Sequence, residues 1–257
     1  MYRKHLFSVH FFYLLCMEKH ALITGGAKRV GKAIANHLAK NGWSITIHYN
    51  HSSKEAEKLK EELSQAYTAQ NFYAVKANLS DMKDVLKLIP KVKKQMGSIS
   101  LLVNNASIFE ASAIKETTPE LFERNMQINF TAPFFLTRDF AIASSSGIII
   151  NFVDTRITTN KNSHAAYTMA KKSLWELTKM SAFEFGPEIR VNAIAPGVTL
   201  PPPGGNDSDL LQMAKHLPMQ KPSGIDPILR SIDYIIVNDH LTGQLLFCDG
   251  GENLGKI

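Results

Sequence analysis

The chain has 257 residues, 44% of them apolar and 20% charged, with a formal net charge of +6. That length suits one α/β domain with a large buried core, and the apolar share is ordinary for a soluble protein. Two cysteines, Cys16 and Cys248, exclude a disulfide framework and agree with a reducing cytoplasm. The basic residues are spread, as over 54–60 and 87–94, and read as solvated helix faces. No nucleic-acid motif and no metal-ligand spacing stands out, while the positive charge favours polyanionic small ligands.

The segment 1–18 is set apart. Residues 1–5 are basic and 6–16 apolar, like the opening of a short signal peptide. The apolar run falls short of the ~20 residues a membrane span needs, and no small-residue cleavage site follows. The expectation is an N-terminal extension, with Met17 as the physiological start or residues 1–17 dispensable. No membrane association is expected.

From His20 onward, strands and helices alternate. His20–Thr24 is a short apolar strand, followed by Gly25-Gly26-Ala27-Lys28-Arg29-Val30-Gly31. Beyond it, Ala33, Ile34, His37 and Leu38 recur at helical spacing. Strand, glycine-rich turn and helix is the context of a dinucleotide site. Glycines let the backbone approach a pyrophosphate, and the helix N-terminus offers free N–H groups. The second strand, Trp43–Tyr49, ends in Asn50-His51-Ser52-Ser53 with no acid. An NAD site usually places Asp or Glu there for the ribose 2′-OH. Lys28, Arg29, His51, Ser52 and Ser53 can instead surround a 2′-phosphate, which favours NADP(H). A serine there can equally cap the next helix.

Further strands are expected near 72–76, 100–104, 147–153, 189–195 and 244–248. Helices are expected near 30–41, 53–69, 81–96, 118–144, 165–185 and 226–238. This alternation implies an α/β fold with a doubly wound, seven-stranded parallel sheet over residues 19–257. The stretch 196–224, carrying Pro201-Pro-Pro-Gly-Gly205, reads as a loop.

The apolar run Ile148–Val153 ends in Asp154, and Tyr167 and Lys171 follow four residues apart. A carboxyl group at a strand's carboxyl end lies where open α/β sheets keep their ligands. The four-residue spacing puts tyrosine and lysine on one helical face. An ammonium beside a phenol favours phenolate, making the tyrosine a useful proton donor near neutral pH. Alone, such a pair can be a half-buried ring beside a solvated lysine, and Asp154 can merely cap the loop Thr155–Thr159. The phosphate-type turn upstream favours chemistry.

In this order the motifs resemble the short-chain dehydrogenase/reductase family over about residues 19–254. Asn104-Asn105-Ala106, Asn129 within Met126–Phe130, Val191–Gly197 and Thr242–Gly251 also match. The resemblance implies a single-domain Rossmann fold and a mobile substrate lid at 196–224. It implies a homotetramer through the helices at 118–144 and 165–185. Implied cofactor contacts are Gly25, Lys28, Arg29, Val30, Gly31, Tyr49, Asn50, His51, Ser52, Asn78, Leu79, Asn105, Ala106, Ser107, Tyr167, Lys171, Pro196 and Gly197. The implied catalytic set is Asn129, Asp154, Tyr167 and Lys171. In it, Lys171 holds the nicotinamide ribose and lowers the Tyr167 pKa, and Asn129 positions a water or backbone link beside Lys171.

Two departures sharpen the resemblance. Arg29 takes the place of the middle glycine of the turn, and Asp154 that of the usual serine thirteen positions before Tyr167. Together they resemble the pteridine reductase branch, which includes dihydromonapterin and dihydrofolate reductases of this fold. His48–Ser52 and Asn104–Phe109 resemble it too. That branch implies a pterin stacked on Phe109, with Arg29, Ser107, Asp154 and Tyr167 around it; Phe109 can otherwise simply close its loop. Asn78 replaces the family's usual aspartate near adenine, and His51 replaces an arginine of the trypanosomatid enzymes. The implied reaction is NADPH-dependent hydride transfer to a ring C=N of a pterin or folate. The proton comes from Tyr167 or Asp154, directly or through water. Two rivals stand beside it: a carbonyl reductase of alcohol, sugar or 3-oxoacyl substrates, and a non-catalytic NADP-binding protein. Asp154 and Arg29 weigh against the first, and intact Tyr167, Lys171 and Asn129 against the second.

Overall fold

The computed structural model describes residues 19–255 apart from Asn162 and Pro203. The expectations about the segment 1–18, Met17 and Cys16 lie outside the described residues. Seven strands are present: β1 (His20–Ile23), β2 (Ser44–Tyr49), β3 (Phe72–Lys76), β4 (Leu101–Asn104), β5 (Gly147–Phe152), β6 (Ile189–Pro196) and β7 (Leu245–Cys248). The α-helices are α1 (Arg29–Lys40), α2 (Ser53–Ala66), α3 (Met82–Met96), α4 (Pro119–Met126), α5 (Ala132–Ala143), α6 (Ala165–Phe185), α7 (Asp207–Ala214) and α8 (Asp226–Val237).

All the strands pair parallel, in the order β3-β2-β1-β4-β5-β6-β7. Successive side chains of a strand point to opposite faces. Ile23, Val103 and Ile150 therefore pack on one face, against Ile34, Leu38, Leu59 and Ile232 of α1, α2 and α8. Leu22, Leu102 and Ile149 pack on the other, against Val85, Leu88, Leu136 and Phe140 of α3 and α5. Burial on both faces is why these strands read as unbroken apolar runs. The doubly wound, seven-stranded parallel sheet expected from the sequence is present. Strand order reverses between β1 and β4, which opens a crevice beyond the strands' carboxyl ends.

Two expectations need correction. The helix expected over 118–144 is divided into α4 and α5 by a π turn at Gln127–Thr131. Pro133 has no N–H to give the carbonyl four residues back, that of Asn129, so the α-helical ladder is interrupted there. The stretch 196–224 is not wholly loop, because it contains α7. Asn206 caps α7 by accepting from Ser208 and Asp209 N–H groups, while the Asp209 carboxylate accepts from the Asn206 N–H at 2.9 Å. That reciprocal cap is legible as Asn206 followed three residues later by an acid. Among the described residues, no helix is long and apolar enough to cross a membrane.

Candidate active site

The glycine-rich turn joins β1 to α1 at the strand-order reversal. Thr24 Oγ1 accepts from the backbone N–H groups of Asn105 and Ala106, both at 2.9 Å, and Asn105 Nδ2 donates to the Thr24 carbonyl at 2.8 Å. These bonds tie the loop after β4 to the turn. Gly25 has φ +62°, and a Cβ on Gly31 would lie 2.2 Å from the Gly25 carbonyl oxygen. Lys28 at the N-cap of α1 gives no side-chain cap, and the first turn holds no acid. The first-turn N–H groups are thus left for an anion, so these residues fit a dinucleotide pyrophosphate.

His48, quoted above only as part of a resemblance, positions this turn. Its Nε2 donates to the Ala77 carbonyl and its Nδ1 accepts from the Gly25 N–H, each at 3.1 Å. Burial pushes the His48 pKa down to about 4, against weaker opposing effects of the Ala77 carbonyl and Asp84. The native value lies below the unfolded 6.5, so this contribution is complete above about pH 6.5 and is lost as pH falls toward 4. A shift of that size corresponds to about 3 kcal/mol. Denaturant titrations of wild type and His48→Gln should therefore diverge above pH 6 and converge near pH 4; parallel pH profiles would contradict the assignment.

At the end of β2, Lys28 forms an exposed ion pair with Glu55 at 2.7 Å. Ser52 is the N-cap residue of α2, but its hydroxyl makes no capping bond. Asn50 Nδ2 donates to Asn78 Oδ1 at 3.2 Å, joining two residues expected around the cofactor. Tyr49 packs on the core beside them, and the Leu79 carbonyl accepts from Gln127 Nε2 at 3.1 Å. At the far side of the crevice, Pro196 ends β6, and the Gly197 N–H donates to the Cys248 carbonyl at 3.0 Å.

Asp154, Tyr167 and Lys171 converge beyond β5. Tyr167 donates its hydroxyl to Asp154 Oδ2 at 2.7 Å, and Lys171 Nζ donates to the Phe152 carbonyl at 2.7 Å. Asp154 Oδ1 accepts from the Arg156 backbone N–H at 2.8 Å. This corrects the expectation of a phenol poised as phenolate. Burial, together with the charge of Asp154 and the hydrogen bond to it, raises the Tyr167 pKa well above its usual range. The lysine sits 5.8 Å from the ring centroid, and burial lowers its own pKa to about 8 although Asp154 pulls the other way. Without substrate, Tyr167 is a neutral proton donor held by a carboxylate.

Asn129 ties the π turn to the loop after β4. It belongs to that turn and is fully buried. Its Oδ1 accepts from Ser107 Oγ at 2.7 Å and from the Ile108 N–H at 3.1 Å, and its Nδ2 donates to the Ile108 carbonyl at 3.1 Å. The backbone link it makes is thus to Ile108, and it fixes the approach to Phe109.

Phe109 stands at the mouth, 54% exposed. Its edge-on contact with Tyr167 has a centroid distance of 4.7 Å and an interplanar angle of 82°. His164 stacks on it at 3.9 Å and 10°, and the Arg156 guanidinium lies 5.3 Å from its centroid. Sequence reading missed both of these neighbours, although His164 lies three residues before Tyr167 and Arg156 two after Asp154. Arg29 adopts φ +50°, the left-handed region that explains why glycine usually stands there, at a cost of about 1–2 kcal/mol. Its Nη2 donates to the Pro201 carbonyl at 2.8 Å, joining the glycine turn to the 196–224 segment.

Residues 19–208 match the profile described as short chain dehydrogenase. The chain belongs to that family. Among similar solved structures is the FolM alternative dihydrofolate reductase 1 of Brucella canis, complexed with NADP. It superposes with a TM-score of 0.87 at 33% identity, over 92% of this chain and 94% of that one. The dihydromonapterin reductase of Enterobacter sp. (strain 638) is 26% identical over 92% of this chain and 98% of its own. The 3-oxoacyl-[acyl-carrier-protein] reductase FabG of Staphylococcus epidermidis is 28% identical over 91% and 99%. The pteridine reductase branch read from Arg29 and Asp154 is thus represented among the relatives. NADP, the cofactor expected from the end of β2, is the one carried by the Brucella structure.

Proposed function

We propose that the protein is an NADPH-dependent reductase of a ring C=N bond in a pterin or folate. The observation that carries this reading is the Tyr167–Asp154 hydrogen bond of 2.7 Å, an acid where a carbonyl reductase has serine. Reduction of a ring C=N leaves a nitrogen that must be protonated. A tyrosine hydrogen-bonded to Asp154 can deliver that proton and be reprotonated by solvent water relayed through the carboxyl group, whereas a serine hydroxyl cannot readily relay a proton. Arg29 lies beside the same crevice and supplies a polar edge, and Phe109, though stacked on His164, keeps enough exposed aromatic surface to meet a planar ring. The 3-oxoacyl reductase relatives support a second reading, reduction of a ketone.

NADPH, when bound, supplies the hydride. Gly25, Gly31 and the first turn of α1 would hold its pyrophosphate, with His51, Ser52 and Lys28 near the 2′-phosphate. Asn50, Asn78 and Leu79 would lie toward adenine, and Pro196 and Gly197 toward nicotinamide. Lys171 would hold the nicotinamide ribose, its ammonium already oriented by the Phe152 carbonyl. Asn129 keeps Ser107 and Phe109 in place, and Tyr167 holds the proton at its hydroxyl. A homotetramer through α4–α5 and α6 is part of the proposal, supported by the exposed Phe134, Met180 and Phe183. The buried free Cys248 suits a reducing cytoplasm.

The test is a substrate panel followed by NADPH absorbance: dihydromonapterin, dihydrobiopterin and dihydrofolate against small ketones and 3-oxoacyl thioesters. Wild type should reduce the pterins, and Asp154→Ser should lower that rate about 100-fold. Pterin reduction unaffected by Asp154→Ser, or ketone turnover alone, would support the second reading instead.

A further inference from the structure

We propose that Arg156 recognises an oxyanion on the side chain of the substrate, so that the favoured pterin carries a carboxylate or phosphate on its tail. This rests on the pterin-reductase reading and adds the chemistry of the tail to it. Arg156 is half-buried and belongs to the 3-10 turn Thr155–Thr158 that directly follows Asp154. The bond from its backbone N–H to Asp154 Oδ1 fixes where its side chain starts, and the guanidinium reaches the Phe109 ring. A planar substrate beside Tyr167 and Phe109 would therefore have this cation at its rim.

The guanidinium is underused. It has five N–H donors, and its one side-chain hydrogen bond among the described residues is a long one, Nη1 to Ser163 Oγ at 3.4 Å. Neighbouring acids are engaged elsewhere. Glu110, next to Phe109, is held in a bidentate pair by Arg124, at 2.7 and 3.2 Å, and by Asn125 at 3.0 Å. Asp154 has one oxygen on Tyr167 and the other on backbone. A half-buried guanidinium without a carboxylate partner, resting on an aromatic ring, matches a planar oxyanion in geometry and charge. A neutral hydroxylated tail gives it no such partner. Carboxylate and phosphate share this chemistry, and separate substrates distinguish them.

The experiment compares kcat/KM for dihydrofolate, for a dihydropterin phosphate monoester and for neutral dihydromonapterin, in wild type, Arg156→Gln and Arg156→Lys. In Arg156→Gln the ratio of charged to neutral substrate should fall about 10- to 100-fold, the loss typical of a charge-assisted bond. Arg156→Lys, which keeps the charge without the fork, should fall less. Whichever charged substrate loses more identifies the anion. In wild type the KM of that substrate should rise with salt while that of dihydromonapterin stays flat, a readout independent of any variant. Pterin reduction with an unchanged ratio, an equal loss on all three substrates, or a salt-independent KM would overturn the role of Arg156 and leave the pterin reading standing. A wild type that reduces ketones and no pterin would remove both.

Discussion

Tyr167→Phe is expected to lower kcat about 10²- to 10⁴-fold while the protein stays folded and still binds NADPH. The hydroxyl carries the proton, and the ring carries the packing. Phenylalanine preserves the buried ring and its edge contact with Phe109, so the loss should appear in kcat rather than in thermal stability. Asp154 loses the donor on its Oδ2 but keeps the Arg156 N–H on Oδ1. Its own substitution should therefore be milder than loss of the phenol. The wild-type pH profile separates proton donor from electrostatic support. Tyr167 remains protonated through neutral pH because burial and Asp154 raise its pKa. Lys171, lowered to about 8, loses its ammonium as pH rises through that value. If the ammonium is required, activity should decline above pH 8 from Lys171 titration, with no tyrosine ionisation seen spectroscopically. Single-turnover rates with saturating NADPH would measure this; a Tyr167→Phe enzyme with near-wild-type kcat would remove the phenol from the proton path.

Much of this machinery was legible because it lies in short, local patterns. The glycine turn sits between an apolar strand and a helix with Ile34 and Leu38 on its buried face, and both signals are contained within twenty residues. Asp154, Tyr167 and Lys171 are likewise fixed by one strand end and one helix. What stayed hidden depends on where chains return in space. His48 looks like any strand residue until β2 pairs with β1 and brings its imidazole to the Gly25 N–H. The direction of the Tyr167 shift likewise depends on contacts made in space. Four-residue spacing shows that lysine and tyrosine share a face, but not that the hydroxyl reaches Asp154 while the ammonium turns to the Phe152 carbonyl. The π turn followed from Pro133, a visible residue whose missing N–H was outweighed by the helical pattern around it.

Gly31→Ala should reduce NADPH affinity about 10- to 100-fold in equilibrium fluorescence titration, by order of magnitude from the cost of overpacking a rigid site. The added Cβ would lie 2.2 Å from the Gly25 carbonyl oxygen, 2.9 Å from the Gly25 carbonyl carbon and 2.8 Å from Asn105 Nδ2. Two of those atoms are backbone, so no rotamer change relieves the contact, and the turn itself must move. That movement strains the Gly25 N–H bond to His48 and the Asn105 Nδ2 contact with the Gly25 carbonyl. It also displaces the first-turn amides expected to meet the pyrophosphate. Gly42→Ala is the matched control. Gly42 has φ +85° but open space around its Cβ position, so alanine there brings backbone strain of about 1–2 kcal/mol without a clash. Stability should fall in both variants, but cofactor affinity in Gly31→Ala alone. Equal NADPH affinity in the two would mean that the cofactor does not use this turn, and the fit of the glycine cradle to a pyrophosphate would have to be abandoned.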